Sequence, residues 1–313
     1  MNGRSRPARS PRLRTGGDLL KYANRKMRQA GVSHGQGFLG PEEESLTLLG
    51  HALGLEWEAL PACFRKAVAP AAASRFLELL RRRTEERVPT AYLVGEAWLG
   101  GLRFKVDERV IIPRSYFVEL IPEVIPAWLP PAESIRRVAD VCTGSGCLAV
   151  LLARRFPRAD VDATDLSADA LAVAAENVAA HGLKDRIRLH RTDVMRSLSG
   201  RRRYDLIISN PPYEPASVLR RLPAEFRKEP PGSLVSGKDG GPVAGRIAAV
   251  KTGGEDRSKR VLRAVAGQRF QVDGIGPDAA RGVAEALDRG RKYSQQWKDY
   301  EKALADFKAG KAV

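Results

Sequence analysis

The 313-residue sequence predicts an α/β protein, with a small helical domain followed by a parallel sheet that carries helices on its faces. Three observations lead there. Residues 40–88 hold apolar side chains at helical spacing. From Val138 onward, short apolar runs alternate with helical segments, the rhythm of βα units. The chain is also long enough to bury more than one core.

The elements follow in order. Residues 1–38 are basic: Arg4, Arg6, Arg9, Arg12 and Arg14 occur with no acid among them. No apolar stretch follows as in a secretory signal, so a partly disordered basic arm running into a first helix is expected, with a transit peptide as the other reading. Residues 39–95 are read as the helical domain. One stripe is Leu46, Leu49 and Leu53, and a second is Phe76, Leu79 and Leu80. The run Arg81-Arg82-Arg83 is expected to be a solvated helix face, and His51 to be a packing residue. Residues 96–134 should form a β-hairpin turning at Gly100-Gly101, then a linker helix over 113–127. Within 135–241, strands are expected at 138–142, 161–164, 187–190 and 204–209, and helices at 148–156 and 168–180. Residues 242–313 break the rhythm and are expected to be helical or disordered.

Composition narrows the function. Hydrophobic residues make up 43% of the chain, as in a globular protein, and no apolar run nears the roughly 20 residues that span a membrane. Cys63, Cys142 and Cys147 form no disulfide framework, and with four scattered histidines they make no zinc pattern; no metal is expected, and a reducing cytoplasm is. The formal charge of +16 points to an anionic partner such as nucleic acid or a ribonucleoprotein, with solubility alone as the other reading.

Three short stretches carry the chemistry. In DVCTGSGCLAV, residues 140–150, an acid closes a strand and a loop with two glycines opens a helix. Glycines permit a tight turn and close approach of a ligand to the backbone. Asp140, Thr143, Gly144, Ser145 and Gly146 are the candidate binding residues. The loop is neither a full dinucleotide fingerprint nor a P-loop, since no GKS or GKT follows. In DATDLS, residues 162–167, Asp165 ends the second strand about 20 residues on, where a carboxylate can accept both hydroxyls of a ribose. An N-cap is the plain alternative for Asp165 and for Ser167. Asp193, after the third strand, is a candidate for an adenine amino group or an ordinary loop acid. In LIISNPPYEP, residues 206–215, a buried strand stops at Asn210-Pro211-Pro212-Tyr213. The Asn210 side-chain oxygen and the Pro211 carbonyl can accept the two hydrogens of an NH2 group, and Tyr213 can cover its planar face; a plain loop whose prolines merely end the strand is the other reading.

Together these stretches resemble a class I, Rossmann-like S-adenosylmethionine-dependent methyltransferase acting on a planar nitrogen. NPPY is shared between amino-methylating nucleic-acid enzymes and the HemK-like protein glutamine methyltransferases. The segment RVPTAYLVGEAWLGGLRFKVDERVIIPRS, residues 87–115, is similar to the interdomain segment of the latter. Ser115, EAWLGGL and LPAEFRKEP at 222–230 resemble the branch acting on large-subunit ribosomal protein L-three. Tyr116-Phe117 departs from a Pro-containing version expected there.

The resemblance covers residues 18–241. It implies S-adenosylmethionine as cofactor, methyl transfer to a glutamine side-chain amide held by Asn210, Pro211, Pro212 and Tyr213, and a substrate-recognition role for the helical domain. It also implies ribosomal protein L-three or a ribosome assembly intermediate as partner, with rRNA contact through the basic surface. After Lys238-Asp239-Gly240 the family continues with a helix and three strands, one reading like GGVLVVEVG, and residues 242–313 contain nothing similar. The sheet is therefore expected to be incomplete at its C-terminal side. Two alternatives stay open: an adenine amino-methyltransferase on DNA or RNA, and a catalytically dead product with a disrupted C-terminus.

Overall fold

The computed structural model describes residues 13–115, 117–125, 129, 131–198, 204–238, 243 and 262–265. They fall into two compact units. One holds the chain up to His34 together with Phe38–Val94, and the other holds Gly35–Gly37 and the chain from Gly95 onward.

The first unit is helical. α1 (Gly16–Ala30) begins at a capping box, in which the Thr15 hydroxyl accepts from the Asp18 amide and the Asp18 carboxylate accepts from the Thr15 amide. It stops at Gly31, left-handed at φ 58°. α2 (Pro41–Leu53) starts with proline and three glutamates, which suit the fixed φ and the positive end of a helix. A 3-10 turn (Trp57–Cys63), α3 (Pro70–Thr84) and α4 (Thr90–Val94) complete the unit. Leu19, Ala23, Met27, Leu48, Leu49, Phe76 and Leu80 form its core, with Leu46, Leu53 and Leu79 packed at the margin.

Two expectations fail here. Arg83 does not face solvent but is 1% exposed. Its guanidinium donates to the buried Glu44 carboxylate at 2.5 and 3.0 Å, and Glu44 also accepts from the Thr90 hydroxyl at 2.6 Å. A charge is tolerated inside when a partner and hydrogen bonds meet it, and that partner lies on a different helix, invisible in a local pattern. Arg81 and Arg82 do remain on the surface, beside Glu78 and Glu86. His51 is exposed rather than packed, because the buried face of α2 runs through Glu44, Ser45, Leu48, Leu49 and Ala52. Position 51 turns outward in the last turn, where a histidine suits the negative helix end.

The second unit opens with an antiparallel hairpin, β1 (Glu96–Leu99) and β2 (Leu102–Lys105). Gly100 and Gly101 are both left-handed, at φ 58° and 73°, as a two-residue hairpin turn demands. The linker is not one continuous α-helix. α5 (Phe117–Glu119) runs into a π-helical turn, Leu120–Val124. Pro122 lacks the amide that an α-helical ladder needs at that point. Residues 116, 126 and 127 of the expected helix lie outside the described residues.

The sheet contains β3 (Arg137–Val141), β4 (Asp160–Asp165), β5 (Ile187–Arg191), β6 (Leu206–Ser209) and β7 (Leu262–Val265). Its order is β5-β4-β3-β6-β7, with every neighbouring pair parallel. α6 (Cys147–Arg155) follows β3, and α7 (Ala168–Ala180) follows β4. On one face Val138, Val161, Ala163, Leu206 and Ile208 join a core with Leu148 and Leu152 of α6. On the other, Ala139, Val141 and Ile207 pack with Met195, Leu198 and Tyr204. Burial on both faces is why these strands read as unbroken apolar runs rather than alternating ones. A short helix, α8 (Pro231–Leu234), closes this part of the chain.

β7 corrects the sequence reading, which expected only helix or disorder past residue 242. Leu262–Val265 pairs in parallel with Leu206–Ser209 and satisfies the outer hydrogen-bonding edge of β6. Four residues interrupted by an arginine give too weak a pattern for a strand to be read from sequence. The rest of the tail expectation, and the basic arm over residues 1–12, lie outside the described residues. Among the described residues no helix is long and apolar enough to cross a membrane.

Candidate active site

The strand order reverses between β3 and β6: the chain goes from β3 outward to β4 and β5, then returns to β6 on the other side. Such a switch point opens a crevice at the carboxyl ends of the strands. All three sequence constellations meet along that edge.

The glycine loop leaves β3 there. Cys142 is left-handed at φ 62°, and so are Gly144 at 54° and Gly146 at 79°. The Thr143 amide donates to the Thr164 carbonyl, and the Gly146 amide to the Thr143 carbonyl, each at 2.9 Å, which closes the turn. A Cβ on Gly146 would lie 3.1 Å from the Ala174 Cβ, so this glycine lets α7 approach. At Gly144 the nearest atom would be Ile111 Cγ2 at 3.9 Å, which leaves room beside the backbone. Ser145 is buried, and its carbonyl accepts from Asn177 Nδ2 at 2.8 Å. Asn177 also pairs both ways with the Lys105 backbone, so it fastens loop, hairpin and α7 together. The sequence reading passed over it, although a lone amide in the Ala-rich AVAAENVAA was a signal.

Two carboxylates face the loop. Asp165 accepts from the Gly144 amide and the Ser167 amide, each at 2.9 Å, and burial raises its pKa. Ser167 is the cap of α7, its hydroxyl accepting from the Ala170 amide at 3.1 Å. Asp140 is fully buried. Its Oδ2 accepts from the Thr143 hydroxyl at 2.6 Å, while Oδ1 has no partner of hydrogen-bonding geometry. Burial pushes the Asp140 pKa up to about 7. Burial likewise pushes the Cys147 thiol up to about 12, which leaves it inert. Asp193 lies just past β5, where the Thr192 amide donates to the Asp165 carbonyl at 2.9 Å. Leu166, directly after Asp165, is 66% exposed, an apolar surface that the motif reading missed.

The NPPY segment begins one residue past β6. Ser209 stands opposite Val141 in the register, and its hydroxyl donates to the Val141 carbonyl at 2.6 Å. Asn210 is partly exposed and Pro211 buried, while Pro212 and Tyr213 are half-buried. Among the described residues, no hydrogen bond is made by the Asn210 side chain or the Pro211 carbonyl. Burial raises the Tyr213 phenol. Beyond it the chain is strapped down. The Glu214 amide donates to the Leu234 carbonyl at 3.0 Å, the Ser236 amide to the Glu214 carbonyl at 2.9 Å, and the Ala216 amide to the Gly237 carbonyl at 3.1 Å. Ser115 is a local cap, its hydroxyl accepting from the Phe117 amide at 3.3 Å.

The glycine loop, the strand-end acid and NPPY lie at one switch point, on a chain that carries a methyltransferase domain. A methyltransferase small domain model matches residues 124–236, and a PrmC N-terminal domain model matches residues 18–95. The ribosomal protein uL3 glutamine methyltransferase of Bordetella pertussis is 44% identical over 241 residues, covering 77% of this chain and 80% of that protein. Its namesake in Burkholderia pseudomallei is 43% identical, covering 74% and 77%. That of Bradyrhizobium diazoefficiens is 42% identical, covering 74% of each. The chain belongs to the family of ribosomal protein uL3 glutamine methyltransferases.

Proposed function

We propose that this protein transfers a methyl group from S-adenosylmethionine to the side-chain amide nitrogen of a glutamine in ribosomal protein uL3. One observation carries the reading: Asn210 and Pro211 follow β6 directly beside the strand that feeds the glycine loop. The residues fit the cofactor. Asp165 suits the ribose hydroxyls, and the exposed Leu166 offers an apolar surface to the base. Asp193, just past β5, is our candidate acceptor for an adenine amino group. The unpartnered Oδ1 of Asp140, with Thr143, Gly144, Ser145 and Gly146 around it, suits the positively charged methionine end.

An amide nitrogen is a poor nucleophile because its lone pair is shared with the carbonyl. The Asn210 oxygen and Pro211 carbonyl accept its two N–H bonds and direct the remaining lone pair across the crevice. Tyr213 covers the planar face. S-adenosylmethionine supplies an activated methyl on a sulfonium, so no protein nucleophile or metal is required. The chain's contribution is orientation in a preorganised polar site, and the proton leaves to solvent.

The helical unit serves substrate recognition, and its α1 surface supports rRNA contact. Lys21, Arg25, Lys26 and Arg28 are exposed there, and Arg25 and Lys26 flank the Tyr22 ring at 5.5 and 5.8 Å. A ribosomal substrate makes the cytoplasm the place of action. Methyl transfer from labelled cofactor tests the reading, with purified uL3 and with DNA and RNA as acceptors. Label on a uL3 glutamine supports it, whereas label on adenine would support the nucleic-acid reading in its place.

A further inference from the structure

We propose that Arg114 and Glu229, joined by Gln36, form a positioning pair that holds the NPPY segment in its acceptor-binding geometry; this rests on the amide-methylating reading of that segment. The guanidinium fork of Arg114 meets Glu229 at 2.6 Å on each carboxylate oxygen. The Glu229 side chain is wholly buried, and the Gln36 amide donates to its Oε1 at 2.7 Å. Arg114 also lies over the Phe226 ring at 5.1 Å, and a Cβ on Gly35 would come 3.0 Å from that ring.

A buried ion pair is a weak source of stability, because desolvation offsets much of the attraction. Its two parallel hydrogen bonds do fix one geometry. That geometry leads to the site. Two residues after Glu229 the chain enters α8, and α8 leads into the Leu234–Gly237 stretch that hydrogen-bonds Glu214 and Ala216. Glu214 adjoins Tyr213. Arg114 itself follows Ile112, 1% exposed, and Pro113, so the other end of the pair is anchored in the core. The pair therefore acts through the backbone strap and touches no reacting atom. Displacements of about 1 Å at a reacting centre can cost about 100-fold in rate.

The isosteric Glu229→Gln variant of the full chain provides the test. We expect kcat for uL3 to fall about 10- to 100-fold, with cofactor Kd within about twofold of wild type and faster amide exchange at Glu214, Ala216 and Ser236. Arg114→Lys, which keeps the charge but loses the fork, should recover part of the activity that Arg114→Met loses. Unchanged exchange at the strap, or cofactor affinity falling in step with kcat, would overturn the positioning role. Wild-type protein that binds cofactor yet leaves uL3 unmethylated would sink the function reading instead, and the exchange comparison would still decide whether the pair orders the segment.

Discussion

The Gly144 amide donates to the Asp165 carboxylate at 2.9 Å, which locks the loop after β3 to the acid after β4. The two residues that sequence spacing nominated separately for the cofactor are one hydrogen-bonded unit. The same carboxylate orders the loop and, in the proposed role, would accept from a ribose.

Asp165→Ala should therefore weaken cofactor binding through both roles. A hydrogen bond to a charged group contributes roughly 1.5–3 kcal/mol, so titration calorimetry should show a loss of about 10- to 100-fold. Asp165→Asn keeps one acceptor and should fall between.

On the proposed acceptor role, Asn210→Ala should remove one of the two amide acceptors and leave the cofactor crevice intact. Methyl transfer to uL3 should drop by at least about 100-fold, as for other lost preorganised polar groups, with cofactor Kd within twofold of wild type. A parallel fall in cofactor affinity would count against the acceptor assignment.

If Asp140 meets the cationic end of the cofactor as proposed, it should link cofactor binding to pH. Its pKa is raised to about 7 by burial, and a cationic ligand needs the carboxylate form. Affinity should climb as pH rises from 6 through 7 and then level off, with proton release on binding below 7. Asp140→Asn should bind weakly and lose that slope. The stability of the ligand-free protein runs the other way: a carboxyl raised above its unfolded value stabilises the fold less as pH rises through about 7.

Glu44 sets the acid limit of the helical unit. Burial alone would raise its pKa, but hydrogen bonds from His34 and Arg83 outweigh that and hold it at about 2. A depressed carboxylate gives stability that is complete above its unfolded value near 4.5 and lost as pH falls toward 2. Glu44→Gln should lose about 3–5 kcal/mol near neutrality, as when one partner of a buried pair is removed. Urea titrations at pH 7 and pH 3 would show it, with a flatter acid limb in the variant.

The sheet was legible because its strands are short, apolar and set between an acid or glycine turn and a helix, so Val138, Val161 and Leu206 announce themselves. The placement of Asp165 and NPPY was legible for a different reason: each lies at or just past the end of a readable strand, and strand ends meet at a switch point. Arg83 was misread because its partner Glu44 is on another helix. Arg114 and Glu229 each lie within a legible motif, yet nothing local shows that they pair. Contacts that close only in three dimensions leave no periodicity behind, and a strand as short as Leu262–Val265 leaves almost none.

That last strand bears on how the protein is made. β6, which ends at the acceptor segment, has β3 on one side from early in synthesis, but its other side is completed only by residues well downstream. Until Leu262–Val265 arrives, β6 presents a bare row of amides and carbonyls to any other chain in an extended state. A polypeptide that stops short of residue 262 would carry Asn210, Pro211, Pro212 and Tyr213 in full and still be prone to aggregate along that strand, so the yield of monomer should depend on a segment outside the NPPY site.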